Sequence, residues 1–457
     1  MTSAALSLTI LGGAREIGAN SSYLHLGDDR GLLLDAGLHP KRQGREALPP
    51  FASVAGDVEA ILVSHAHLDH VGALPVALRQ FPRAKVYTTA PTSLLAVRML
   101  RNAVAVARSR APSPSALVYV DDQVEWVEQV LRTEEEGKTF SLEPIAGEAP
   151  RITFYRAGHL LGAVGILVEH RGRRFFYSGD TCASPQHICG GALFPRGGVD
   201  VLLLESTHGA DPTVDLEADR RGFDRARDEL GAFISSVAKR GGAVLIPVFA
   251  LGRAQEILGV LAELVRQGKA PALPIYVSGL AHAINRIYDA SRLDSARRHQ
   301  ELRLEDLGYR LLDPERWQEG ALLHRPCILA VTSGMMYPGT ASFLLARRML
   351  PEPRHGIAFV GFLDPDSPGH RVAQAALDET VDLGGEAGPA RVACDVRRFG
   401  FTAHSRASQL LATVERLRPR RVVLVHGDSE ATEAMSRQLA ASGVETTIAE
   451  PGMTLSL

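Results

Sequence analysis

With 457 residues, 45% of them hydrophobic and 22% charged, the chain has enough apolar surface for two or three domains and too much for intrinsic disorder. A formal net charge of −2 excludes binding of a polyanion by the overall field, so a nucleic-acid partner would need a local patch. No apolar run approaches the roughly 18 residues of a membrane span, and the scattered Cys182, Cys189, Cys327 and Cys394 form no C-x-x-C pair, so neither a disulfide framework nor a thiolate zinc site is indicated.

The opening "MTSAALSLTILGG" has no basic leader and runs into a Gly-rich turn as a first strand would, so a cytoplasmic protein without a targeting signal or membrane partner is expected. Up to about residue 207, short apolar runs ("RGLLLDAG", "VEAILVSH", "RITFYRAG", "RRFFYSGD", "VDVLLLES") end in a Gly, His or acidic residue, as buried strands that carry polar groups into loops do. "RAPSPSA" reads as a short loop between them. From about 208 to 390, long helical stretches such as "RAQEILGVLAELVRQG" alternate with single strands ("AVLIPVFA", "LPIYVSG", "CILAVTSG", "HGIAFVGF"), the pattern of a parallel α/β sheet. After about 391 the first texture returns in "RRVVLVHGD". The expected domains are therefore 1–207, an insert at 208–390, and a return to the first domain at 391–457.

"ILVSHAHLDHVGALP" places His65, His67, Asp69 and His70 in one strand-to-helix loop. His65 and His67, two apart, project the same way from extended chain, while Asp69 and His70 open the next turn. Two imidazoles thus aim at one point, and a carboxylate plus an imidazole at a neighbouring one, which suits two adjacent zinc-like ions. Further candidates stand at strand ends: His159 in "AGHLLGAVG", Asp180 in "YSGDT" and His426 in "LVHGD". Taken singly, either histidine is as readily a satisfied core residue, and Asp180 a turn residue; a carboxylate such as Asp180 is also suited to bridging two cations.

"LLLDAG", "HAHLDH", "GHLLGAVG" and "SGD", in that order, resemble the core motifs of the metallo-β-lactamase fold hydrolases. "LLLEST", "IPVFALGRAQE", "TSGMMYPG", "FGFTAHS" and "VLVHGD" are similar to those of its β-CASP nuclease branch, so the resemblance spans essentially the whole chain. The fold it implies is α/β: an αββα metallo-β-lactamase sandwich with an inserted parallel-sheet β-CASP domain and an active site at the interface of the two. It implies two divalent metal ions, zinc foremost and manganese next, one held by His65, His67, His159 and Asp180, the other by Asp69, His70, Asp180 and His426. Asp35 would orient the histidine loop, and His404, held by Glu205, would protonate or stabilise the leaving oxygen; Asp69, Glu205 and His404 form the implied catalytic set.

The resemblance implies a metal-dependent ribonuclease acting on single-stranded RNA, with RNA preferred to DNA because RNA-acting members keep a histidine at the position of His426. A DNA nuclease and a small-molecule thioester or lactone hydrolase of the same fold are the alternatives. The lack of family extensions at either end favours a compact nuclease, with endonucleolytic cleavage and a homodimer left open. Ser333 and Gly334, before a helix whose first amides could receive a phosphate, and Arg253 and Arg371 are the candidate substrate contacts. Three stretches depart from the branch: Arg406 stands where an aspartate is usual, "DSPGHR" (Asp366 to Arg371) replaces a Gly-Thr-x-Gly-Arg loop, and "YVSGLAHAINRIY" lacks the usual Ser-Pro.

Overall fold

A computed structural model describes residues 6–110, 117–211, 216–313, 321–384 and 388–457, which leaves all of the expected "RAPSPSA" loop beyond Arg110 outside the described residues. The chain forms two compact units: Met1–Pro185 with Gly191–Leu216 and His404–Leu457, and Gln186–Gly190 with Glu217–Ala403. No helix among the described residues is long and apolar enough to cross a membrane.

The first unit holds two seven-stranded sheets. One runs Thr454–Ser456, Ser7–Gly12, Ser21–Gly27, Arg30–Leu34, Asp57–Leu62, Lys85–Thr88, Leu131–Thr133; the other runs Glu445–Ile448, Arg421–Val425, Val201–Glu205, Arg173–Tyr177, Val164–His170, Arg151–Arg156, Thr139–Ser141. Alternate residues of both sheets, among them Leu32, Leu34, Leu62, Ile166, Val168, Phe175, Val201, Leu203, Val423 and Val425, make one shared core. Burying each such Leu, Ile or Phe side chain contributes about 1.5–3 kcal/mol. The opposite residues of the second sheet (Phe176, Leu202, Leu204, Val422, Leu424) pack under Leu410, Val414 and Leu417 of the helix Ala407–Leu417 and Met435 and Leu439 of the helix Ser429–Ala441. On the first sheet, Asp57–Leu62, Lys85–Thr88 and Leu131–Thr133 pair in parallel, so the helices between them are crossovers. Leu33, Ile61 and Val86, on the face away from the shared core, are fully buried as well. The layers are helix, sheet, sheet, helix.

The second unit is built on a six-stranded, all-parallel sheet in the order Arg310–Leu311, Ile275–Val277, Ile328–Val331, Val244–Pro247, Gly356–Phe359, Asp395–Arg398. Its three central strands, Ile328–Val331, Val244–Pro247 and Gly356–Phe359, are buried on both sides because helices cover both faces. Val244 and Ile246 face Leu230, Phe233, Ile257 and Leu261, whereas Leu245 faces Phe343, Leu345 and Met349. The unit runs to Ala403 because Asp395–Arg398, which reads in sequence as part of the returning first texture, pairs in parallel with Gly356–Phe359. It also takes in Gln186–Gly190, whose amides at Ile188 and Cys189 donate to the buried Glu256 carboxylate at 2.8 and 2.9 Å. All four cysteines are buried.

Candidate metal centre

The centre lies in the first unit, and its framework starts at Asp35, the residue after the strand Arg30–Leu34. Asp35 has φ +59°, a left-handed conformation that a short polar side chain tolerates. Its fully buried carboxylate accepts from Ser64 N (2.6 Å) and Ser64 Oγ (2.7 Å), from Tyr177 Oη (2.7 Å) and from His70 Nδ1 (2.7 Å). With Nδ1 committed to Asp35, His70 turns Nε2 toward Asp180 Oδ1 (3.3 Å) and Asp69 Oδ2 (3.8 Å). Such an outer carboxylate fixes both ring orientation and tautomer.

His65, His67, His159 and Asp180 bring one ligand atom each within 4.8 Å of one another; so do Asp69, His70 and His426, and so do Asp180, Glu205, His404 and His426. His159 Nε2 lies 3.0 Å from His67 Nδ1, and Asp180 Oδ2 lies 3.6 Å from His65 Nε2 and 3.8 Å from His159 Nε2. His426 reaches Asp180 Oδ1 through Nδ1 (3.2 Å) and Asp69 Oδ2 through Nε2 (3.3 Å). The helix Leu68–Val71 starts immediately after His67, which is how Asp69 and His70 leave the loop on a different heading from His65 and His67.

Two buried atoms here make no well-aligned hydrogen bond among the described residues: His65 Nε2, and Asp180 Oδ1, whose contacts with His70 and His426 are ion-pair approaches. An unsatisfied buried polar group costs about 1–3 kcal/mol, and a divalent cation among these nitrogen and carboxylate donors relieves both. The electrostatics agree. Burial, with His70 nearby, pushes His65 well below the ordinary imidazole range and keeps it neutral, as a ligand must be. Burial would raise the Asp180 carboxyl, but His426 and His70 outweigh it and hold Asp180 well below the usual carboxylate range. Burial likewise opposes a charge on His70, yet Asp180, Asp69 and Asp35 raise it far above its usual range. The cluster is thus an excess of buried carboxylate that calls for positive charge.

His404 stands beside these groups, its ring centroid 4.5 Å from that of His159, and its Nδ1 lies 3.3 and 3.2 Å from the two oxygens of Glu205. Against the effect of burial, Glu205 raises the pKa of His404 above the ordinary imidazole value. Glu205 is itself fixed by the amides of Thr181 (2.8 Å) and Thr207 (3.3 Å). Arg406 donates from Nη1 to Asp211 Oδ2 at 2.7 Å, and a backbone bridge joins His208 to Arg406, so the departure from the usual aspartate is matched by an acid on the loop after Glu205.

Sequence reasoning missed Ser64, Tyr177, Asn20, Thr207 and His208. Asn20 Nδ2 donates to Asp69 O (3.1 Å) and lies 3.1 Å from His70 Nε2, and Thr207 Oγ1 lies 3.0 Å from His426 Nδ1. The His208 ring is 5.9 Å from that of His404, and burial together with His404 pushes its pKa down to about 4. Tyr177 alone carried a signal: it continues the inward alternation of Phe175 in "RRFFY", which puts a hydroxyl in the core and requires a partner.

The candidate substrate contacts all lie in the second unit. Ser333 and Gly334 follow the strand Ile328–Val331, but the next helix, Ala341–Met349, is capped by the Thr340 side chain on Phe343 N. Arg253 opens the helix Arg253–Arg266 and is largely buried. Arg371 donates to the carbonyls of Asp366 (3.0 Å) and Asp382 (2.8 Å), so its guanidinium braces the "DSPGHR" loop.

Three family models match: a beta-lactamase superfamily domain over residues 30–218, a Beta-Casp domain over 254–372, and a Zn-dependent metallo-hydrolase RNA specificity domain over 389–449. The transcription termination factor FttA of Methanothermobacter thermautotrophicus is 30% identical over 448 residues, 93% of this chain and 67% of that protein. The chain belongs to the β-CASP branch of the metallo-β-lactamase fold hydrolases. Another relative, the endoribonuclease ysh-1 of Neurospora crassa, is 28% identical over 460 residues, 92% of this chain and 52% of that one. This β-CASP chain therefore spans about two thirds of the archaeal relative and about half of the fungal one. A crystal structure of a protein of unknown function from Enterococcus faecalis V583 matches with TM-score 0.57 at 12% identity, over 99% of this chain and 100% of that one, a likeness of fold.

Proposed function

We propose that the chain is a ribonuclease that hydrolyses phosphodiester bonds of single-stranded RNA with two divalent ions, zinc by preference. The observation that carries the reading is Asp180, shared between a His65–His67–His159 grouping and a His404–His426–Glu205 grouping, with Asp69 and His70 adjoining through His426. One ion would be held by His65, His67, His159 and Asp180, the other by Asp69, His70, Asp180 and His426. When bound, two such ions would lower the pKa of a bound water toward neutral and screen charge on the phosphoryl oxygens. Asp35 holds His70 in the ligating tautomer. Glu205 keeps a proton on His404, which delivers it to the leaving oxygen; a positioned general acid contributes typically about 10²- to 10⁴-fold. The imidazole and carboxylate donors suit zinc, and manganese is the competing ion. The endoribonuclease relative and the RNA specificity domain model support RNA as the substrate, as does a histidine at position 426.

The test is incubation of purified protein of known metal content with 5′-labelled single-stranded RNA and the matching DNA, with and without chelator. Cleavage of RNA that the chelator abolishes is expected, and the product ladder distinguishes internal cleavage from attack at an end. Two bound metals with no cleavage of either strand would sink the reading and point to a small-molecule hydrolase.

The Arg406–Asp211 pair braces the loop that carries His404. Arg406→Ala is expected to lower kcat by about ten- to a hundredfold, the scale of a small misplacement of a catalytic group, with metal content retained. The exchange Asp211→Arg with Arg406→Asp should recover much of it. Steady-state cleavage beside metal analysis checks this, and a single variant as active as the parent would deny the pair any positioning role.

A further inference from the structure

In the second unit the strands Ile328–Val331, Val244–Pro247 and Gly356–Phe359 are parallel neighbours, so their C-terminal ends lie side by side. Ligands of open α/β sheets bind outside this edge. Among the described residues only three aromatic side chains are strongly exposed, Phe249 (37%), Tyr337 (40%) and Phe362 (47%). Each follows one of these three strands within a few residues. Every other described Phe, Tyr and Trp is at least half-buried, so chance exposure would not gather these three at one end of one sheet.

The local packing holds Phe249 in place. A Cβ at Gly334 would come within 3.0 Å of the Phe249 ring, and one at Gly361 would lie 3.9 Å from Phe249 Cε2 and 3.8 Å from Arg253 Nε. The ring is therefore laid against two glycine backbones with Arg253 beside it, while part of it stays open. The Tyr337 turn is pinned by Tyr337 N on Ser333 Oγ (3.1 Å) and Thr340 Oγ1 on Tyr337 O (2.6 Å). On the adjoining strand Arg398, in register with Phe359, is exposed and makes no ion pair among the described residues.

We propose that Phe249, Tyr337 and Phe362 form a stacking platform for unpaired bases of single-stranded RNA, with the exposed Arg398 meeting a flanking phosphate. The proposal rests on the ribonuclease reading. Rigid exposed rings beside guanidinium groups recognise single strands without sequence preference, because every base has a π-face. A purely apolar protein-docking patch would use the same exposure but would not need a guanidinium group at the same edge.

The experiment is binding of a cleavage-resistant 2′-O-methyl RNA, and of the same strand carrying abasic sites, to the metal-loaded full chain. Phe249→Leu with Phe362→Leu keeps apolar volume and removes the rings. It should weaken RNA binding by roughly ten- to a hundredfold and abasic-strand binding by no more than about twofold, with melting temperature unchanged. Phe249→Trp with Phe362→Trp should hold RNA as tightly as the parent. Equal losses on both strands, or undiminished RNA binding by the Leu pair, overturn the platform; the latter would give the patch to a protein partner. A parent protein that neither binds nor cuts RNA removes the ribonuclease reading itself, whereas a parent and Leu variant that cut RNA with one KM remove only the platform.

Discussion

Asp180→Ala is expected to release metal and reduce RNA cleavage to background, a loss above about 10⁴-fold and so beyond what any general acid supplies. Asp180 is almost fully buried, and its two oxygens lie among His65, His70, His159 and His426. Removing it leaves several imidazoles with no anionic partner, and neutral histidines alone would have to offset the charge of a divalent ion. Asp180→Asn, which keeps the volume, should also lose metal, which separates the charge effect from a cavity. Metal counting by atomic emission and circular dichroism decide the matter: a folded Asp180→Ala protein that still holds its full metal complement would remove the shared-ligand role.

His404→Ala should behave differently. Its Nδ1 is taken by Glu205 and its ring stands beside His159, so its loss should leave the metal complement intact while cutting kcat by about 10²- to 10⁴-fold with little change in KM. The contrast between the two variants is the informative quantity. Equal metal loss in both would make His404 a ligand, in keeping with its place in the Asp180–Glu205–His426 grouping.

The ligand loop was legible because its residue types are rare and closely spaced: His65, His67, Asp69 and His70 occupy six positions. His159, Asp180 and His426 were legible as polar residues ending apolar runs; Asp180 and His426 converge because the strands Arg173–Tyr177, Val201–Glu205 and Arg421–Val425 lie side by side, and a backbone bridge between Gly158 and Thr181 brings His159 to Asp180. Short continuous apolar runs likewise marked many of the strands of both units. Ser64, Asn20 and Thr207 left no trace, since serine, asparagine and threonine are common loop residues and only the fold brings them to Asp35, Asp69 and His426. The Arg406–Asp211 pair was half visible: the substitution showed, but its partner, 195 positions away, did not. The exposed aromatics were hidden for the opposite reason, because Phe249 and Phe362 sit in apolar runs that read as strand ends.

Asp69 and His426, 3.3 Å apart in space, are 357 positions apart in the chain. A ribosome adding about 5–20 residues each second needs roughly twenty to seventy seconds to pass from one to the other. For most of that interval the growing polypeptide, still tethered to its own message, has the first histidine loop but neither His404 nor His426. On the proposed assignment of His404 and His426, the centre stays incomplete while the chain is nearest the transcript that encodes it.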